Sequence, residues 1–183
     1  RFKIPPMEAA QLLPQQILAL EAAKQATEDP GAGWQESAED GRLATGVVVG
    51  LELDPAAADE QLRWMLPRWV ERWNEELSLG LSETDLETWR EELLACLGGP
   101  LVAQRVTGAL GGIVASRIAR ELRLGGPSFV IGAGGNSGLR ALQVAQRLIA
   151  AGDCEEMIVV GVDLVGELRS CLARGAQRPW SDG

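Results

Sequence analysis

The sequence predicts an α/β fold built on a parallel sheet. Ser128–Ala133 and Glu156–Val162 are short apolar runs, and the stretch from Asn136 to Ala151 between them repeats its apolar positions at helical intervals. A strand, a helix and a second strand in that order form a βαβ unit, whose two strands run parallel. A third apolar run between breakers, Thr45-Gly-Val-Val-Val-Gly-Leu-Glu-Leu53, supplies another buried strand. The length of 183 residues suits one domain with a core of its own.

The elements follow in order. Met7–Ala26 reads as an amphipathic helix through Leu12, Leu13, Ile17, Leu20 and Ala23, entered by Pro5 and Pro6. Pro14 sits inside it and removes a backbone donor, so two pieces are expected rather than one. Asp29-Pro-Gly-Ala-Gly33 reads as the loop that ends the unit. The Thr45–Leu53 strand comes next. Residues 59–94 are charged and helical, with Gly80 dividing two helices and Ser82 with Asp85 capping the second. Trp64, Trp69, Trp73 and Trp89 crowd this region and read as a core seam or subunit contact, because tryptophan contributes large buried area; a ligand platform is the other use. Leu101–Leu122 is helical but contains Gly108, Gly111 and Gly112, each costing about 0.5–1 kcal/mol relative to alanine. They fit if another backbone packs close there, or if part of the segment near 112 is a loop. Gly152-Asp153 turns the chain from the last helix into the last strand.

Composition narrows the function. Hydrophobic content of 46% and charged content of 23% are those of a globular protein, and no run approaches the roughly 18 apolar residues of a membrane span. A net charge of −9 disfavours nucleic acid, whose phosphates it would repel. Cys96, Cys154 and Cys171 lack metal-type spacing and read as buried thiols in a reducing cytoplasm. There is no histidine, so the commonest general base and metal ligand is missing from this chain. The opening residues lack the apolar core of a secretory signal, and both ends read as cut from something longer. Arg117 and Arg120 suit a solvated helix face or a phosphate contact, and Glu71, Glu75 and Glu76 with nearby arginines read as surface pairs.

The glycine-rich turn Gly126-Pro-Ser-Phe-Val-Ile-Gly-Ala-Gly-Gly-Asn-Ser-Gly-Leu-Arg140 carries the candidate chemistry. A strand running through glycines into a helix can cradle a phosphate on backbone N–H groups. Gly132-Ala-Gly134-Gly-Asn-Ser137 nearly fits the dinucleotide fingerprint, but its third glycine is Ser137, and Asp163 lies 25 residues past Gly138 where about 20 are expected. The same geometry can raise a nucleophile on an elbow, where the helix dipole favours a thiolate and a backbone N–H can meet an oxyanion. A tight packing turn needing only small residues is the plain alternative to both.

The flanking residues resemble the β-ketoacyl synthase (ketosynthase) domain of polyketide and fatty-acid synthases. Phe2-Lys-Ile-Pro-Pro-Met-Glu-Ala-Ala-Gln-Leu-Leu-Pro-Gln-Gln16 is similar to that family's Phe-x-Ile-x-Pro-x-Glu-Ala block ending in Pro-Gln-Gln. Gly46-Val-Val-Val-Gly50, Ala115-Ser-Arg-Ile-Ala119 and Leu124-Gly-Gly-Pro-Ser-Phe129 resemble its later segments, and Asp163 fits the strand end after its nucleophile helix. The likeness spans the chain except about 54–95, where members vary. It implies a thiolase-like α/β fold with a mixed or parallel sheet and packed helices, of which residues 1–183 form an incomplete ketosynthase-like domain in the N-terminal half. In the family the turn reads Asp-Thr-Ala-Cys-Ser-Ser-Ser-Leu. Laid on this chain, the nucleophilic cysteine falls at Gly135, the Asp at Gly132, the Thr at Ala133 and the following Ser at Asn136. Glycine cannot form the acyl thioester, so condensation is expected to be silent here. The departure extends to the neighbours, which reads as natural drift rather than a single knock-out. The sequence looks most like polyunsaturated fatty-acid synthases, whose systems pair active ketosynthases with cysteine-less chain-length-factor-like partners.

The resemblance places the Gly135 N–H as an oxyanion donor and Gly134, Asn136 and Phe129 as substrate contacts. It implies no bound cofactor or metal; acyl groups would arrive linked to phosphopantetheine on an acyl carrier protein. Expected partners are a Cys-bearing ketosynthase or a second copy across the active-site strand, without nucleic acid or membrane. The alternative is an NAD(P)-binding Rossmann-like module using Gly132–Gly138.

Overall fold

One strand, β1 (Thr45–Leu51), organises the molecule. It is buried at every position and pairs in parallel with two neighbours distant in sequence, β2 (Ser128–Ile131) on one side and β3 (Glu156–Val162) on the other. The computed structural model describes residues 2–29, 42–52, 55–97, 102–164, 171, 172 and 175. Val47 faces Ser128 and Ile158, and Gly50 faces Ile131 and Gly161. A continuous apolar run without alternation is what a parallel strand covered on both faces requires.

Helices supply those covers. On one face Val47, Val49 and Leu51 pack against Ala19, Leu20 and Ala23 of α2 (Pro14–Glu28) and Val114, Ala115 and Ile118 of α6 (Val114–Leu122). On the other, Val48 meets Ala141 and Ala145 of α7 (Ser137–Ala151). Val47, Val48 and Val49 are fully enclosed, each contributing about 1.5–3 kcal/mol of burial. The sheet expected to be mixed or parallel is parallel at both described ladders.

Pro14 splits the first helical segment as its missing N–H demands. A short α1 (Pro6–Ala9) precedes it, and Pro14 takes the first position of α2. The adjacent Gln16 is buried and donates through Nε2 to the Gly108 and Leu110 carbonyl oxygens at 2.6 and 3.2 Å. Gly108 has no room for a side chain, because a Cβ there would collide with the Gln11 carbonyl oxygen. The glycine cluster therefore does mark a close backbone approach. The expected Leu101–Leu122 helix is broken by it into α5 (Ala103–Ala109), a 3₁₀ turn at Gly111–Ile113 and α6.

The tryptophan-bearing region forms a helical hairpin, α3 (Pro55–Glu76) and α4 (Glu83–Cys96). Leu66, Val70 and Leu86 centre its core, with Trp73 and Trp89 packed on them. Trp69, Trp73 and Trp89 form a chain of tilted rings 5.9 Å apart; the core-seam reading holds for Trp73 and Trp89, which pack on this core, while Trp69 touches it through Trp73 and Trp64 is 74% exposed. Gly80 takes a left-handed φ of 65° in the connection, and Ser82 with Asp85 makes the expected capping box.

Two readings are corrected. Cys96 is exposed at the end of α4 rather than buried, while Cys154 is enclosed and Cys171 half-buried. Arg117 is buried and ion-paired with Glu8, not on a solvated face, because α1 lies over that side of α6. The surface pairs Arg72–Glu76 and Arg90–Glu71 are present. Most of the 29–33 loop, Leu53 and the 98–101 segment fall outside the described residues.

Candidate active site

The glycine turn closes the C-terminal end of the sheet. β2 stops at Ile131, two residues earlier than the sequence pattern suggested, and the chain turns through Gly132–Asn136 into α7. Ser137 holds this turn. Its buried Oγ accepts the Ala133 N–H at 2.8 Å and donates to the Gly134 carbonyl oxygen at 2.7 Å, while its own N–H donates to that oxygen at 3.0 Å. The Asn136 N–H donates to Ala133 O at 3.2 Å. With those groups occupied, the N–H groups of Gly134 and Gly135 donate to no other described group. Such unengaged donors beside a helix N-terminus carry partial positive charge.

The glycines here have different reasons to be glycine. Gly134 has a φ of +56°, in the left-handed region that a side chain disfavours. A Cβ on Gly50 would stand 2.5 Å from Ser137 O and 2.7 Å from the Gly138 nitrogen, so its absence lets α7 begin directly against β1. Gly161 and Gly138 face each other where β3 meets α7, but a Cβ on Gly161 would stand 3.8 Å from the Gly138 Cα, an ordinary contact that does not demand glycine. Gly135 differs. Its φ is not positive and a Cβ there would meet nothing within 4 Å.

These residues surround a cavity of about 220 Å³, lined by Gly50 and Glu52 beyond β1, Gly134, Gly135, Ser137 and Gly138 at the turn, and Gly161, Val162 and Asp163 at the end of β3. That is smaller than a site for a drug-sized ligand and sized for one end of an extended molecule. Two carboxylates thus share a cavity with the positive end of α7. At its glycine tip the chain offers no nucleophile, and what it presents to a ligand there is backbone N–H.

Of the predicted residues, Gly134 and Gly135 line the cavity. Asn136 precedes α7, exposed, without a side-chain capping bond, and is not part of the lining. Phe129 is half-buried and packs with Ile131, Met157 and Val159 around the Val48 cluster under α7. Ser137 and Glu52 were not singled out from sequence. A signal existed for each: serine entering a helix bonds local backbone groups, and residue 52 follows Gly50 by two on a strand, hence on its face.

Residues 1–183, the whole of this chain, match the family described as beta-ketoacyl synthase, N-terminal domain. The chain belongs to the β-ketoacyl synthase family. This ketosynthase-family chain is 31% identical over 172 residues to the hybrid PKS-NRPS synthetase iccA of Talaromyces variabilis, covering 94% of the chain and 3% of that protein. It is 28% identical over 174 residues to a polyunsaturated fatty acid synthase component of Thraustochytrium sp. (strain ATCC 26185 / S-3), covering 95% of the chain and 8% of that protein. It therefore spans only a small fraction of the curated relatives it matches. Among solved structures, the PfaC keto synthase–chain length factor superposes with a TM-score of 0.70 at 21% identity, over 93% of this chain and 18% of that one. The fold is thus the thiolase-like α/β arrangement of ketosynthases. Among the described residues, no helix is long and apolar enough to cross a membrane.

Proposed function

We propose that this ketosynthase-family chain is silent in condensation and acts as a chain-length-factor-like partner, shaping the acyl tunnel of a Cys-bearing ketosynthase. The reading rests on Gly135. It stands where the family pattern has the nucleophilic cysteine, in a strand–turn–helix elbow pinned by Ser137 Oγ, and Gly132, Ala133 and Asn136 beside it depart from that pattern too. Condensation requires a thiolate to take the acyl group as a thioester, and glycine has no atom to do so. The Gly135 N–H, which donates to no other group among the described residues, leaves oxyanion stabilisation as the chemistry open to the turn. Acyl groups would reach the complex on the phosphopantetheine arm of an acyl carrier protein.

The test is acyl transfer. Incubated with a radiolabelled acyl-carrier thioester, the chain should acquire no label that survives acid denaturation. Label that does survive, and is released by hydroxylamine, overturns the proposal.

A nucleotide-binding module is the second reading, favoured by the Gly134 and Gly135 N–H groups just before α7, which donate to no other described group. Two features weigh against it. β1 lies between the strands that flank α7, whereas consecutive strands of a dinucleotide-binding half are neighbours. Glu52 and Asp163 also line the cavity a pyrophosphate would enter. Calorimetric titration with NAD and NADP giving no heat, alongside binding of an acyl carrier protein, would retire it.

A further inference from the structure

The α3–α4 hairpin stands apart from the sheet in chemistry as well as packing. Its apolar cluster is separate from the two that flank the sheet. Residues 55–97 carry ten acidic and four basic side chains, a net −6 of the chain's −9. The connection at its tip is held firmly. The Leu77, Ser78 and Leu79 N–H groups donate to the Trp73, Glu75 and Asn74 carbonyl oxygens at 3.0–3.1 Å, and the Leu81 N–H donates to Asn74 Oδ1 at 3.0 Å. Ser78 is held at a φ of 52°, a conformation that costs a non-glycine residue roughly 1–2 kcal/mol.

This ordered turn presents two leucines to solvent, Leu77 at 65% and Leu79 at 45% exposure. Their surroundings carry one sign of charge. Glu75, Glu76, Glu83 and Asp85 flank them, and no basic residue occurs between Arg72 and Arg90. Arg72 pairs with Glu76, and Asp85 is engaged by Ser82, while Glu75 and Glu83 have no ion pair among the described residues.

We propose that this tip is a docking knob for a separate protein domain whose receiving face is an apolar groove bordered by lysine or arginine. The leucines would supply the buried contact and the glutamates the orientation. A second copy of the chain is a poor occupant, because the same acidic rim would meet itself and like charges brought together repel. The proposal is independent of the condensation reading, since none of these residues belongs to the cavity at Gly135.

The experiment uses this chain and a fluorescent amphipathic peptide of roughly 18 leucine and lysine residues, about five helical turns, as a stand-in for the basic groove. A matched leucine and glutamate peptide serves as control. The expected result is saturable binding of the lysine peptide, weakened at least about tenfold by L77S/L79S, since losing even one of the two buried leucines is on that scale, and weakened again by E75Q/E83Q. The circular dichroism spectrum and thermal midpoint of the variants should be unchanged. The proposal is overturned if the lysine peptide does not bind, if L77S/L79S leaves binding intact, if the glutamate peptide binds equally, or if sedimentation shows tip-dependent self-association.

Discussion

Replacing Gly135 with cysteine should be tolerated by the fold, and the size of the effect separates loss of a chemical group from loss of a structure. The backbone at Gly135 is outside the left-handed region and the space beyond its Cα is open to 4 Å. No strain term therefore opposes a side chain there. Removing glycine's freedom from the unfolded chain then stabilises by about 0.4–1 kcal/mol. For a chain of this length that is a rise of a few degrees in Tm, at roughly 2–4 °C per kcal/mol. Two neighbours calibrate the measurement. Gly134→Ala meets the positive φ and should cost about 1–2 kcal/mol. Gly50→Ala places a methyl 2.5 Å from Ser137 O, and the overpacking should cost about 1–3 kcal/mol. Urea unfolding of the three variants, made in a background with Cys96, Cys154 and Cys171 replaced by serine or alanine, gives the order directly. If Gly135→Cys is destabilised as much as Gly50→Ala, glycine is required there by structure, and the elbow reading is wrong. The same variant reports on the cavity's field: the N-terminus of α7 lowers a thiol pKa, while Glu52 and Asp163 raise it. With carboxylates on both strands, its iodoacetamide alkylation should depend on pH, and E52Q should accelerate it near neutrality.

Ser137→Ala removes both Oγ bonds of the turn and leaves the Ala133 N–H without its partner; a loss of about 1–3 kcal/mol is expected in denaturant unfolding. The Asp85 carboxyl is held below its ordinary range by hydrogen bonds from the Ser82 side chain and backbone N–H. A depressed carboxyl contributes stability that is present above its unfolded pKa of about 3.9 and is lost as pH falls through the folded value. Acid titration of Asp85→Asn should therefore converge on wild type below that range, and a difference persisting there would refute the capping role.

How much of this was legible depends on how local the cause was. Pro14, the capping box at Ser82 and Asp85, and the strand–turn–helix at 128–151 are set within a few residues, and the sequence pattern locates them. A close backbone approach at the Gly108 cluster can be foreseen, but its partner cannot, because it is the Gln11 carbonyl nearly a hundred residues earlier. Burial of Arg117 depends on Glu8 in the same way. The turn is legible from its glycines, yet what separates them is not: Gly134 answers to a backbone angle, whereas Gly135 has neither a positive φ nor a close neighbour. Gly50 reads only as a strand residue until α7 is seen resting on it. The holding role of Ser137 is barely legible in the sequence, because its bonds are short-range but do not follow the usual capping pattern at the residue before the helix.

The central place of β1 sets the order in which this chain can fold. Its partners begin 81 and 111 residues downstream at the paired positions Val47–Ser128 and Thr45–Glu156. The sheet therefore cannot nucleate locally, and closing such loops delays the reward of pairing. The α3–α4 hairpin, with a short connection, a cap and an apolar cluster of its own, lies inside the first of those loops. It is the part equipped to form early, and by condensing 42 residues of intervening chain it shortens the search that brings β1 to β2.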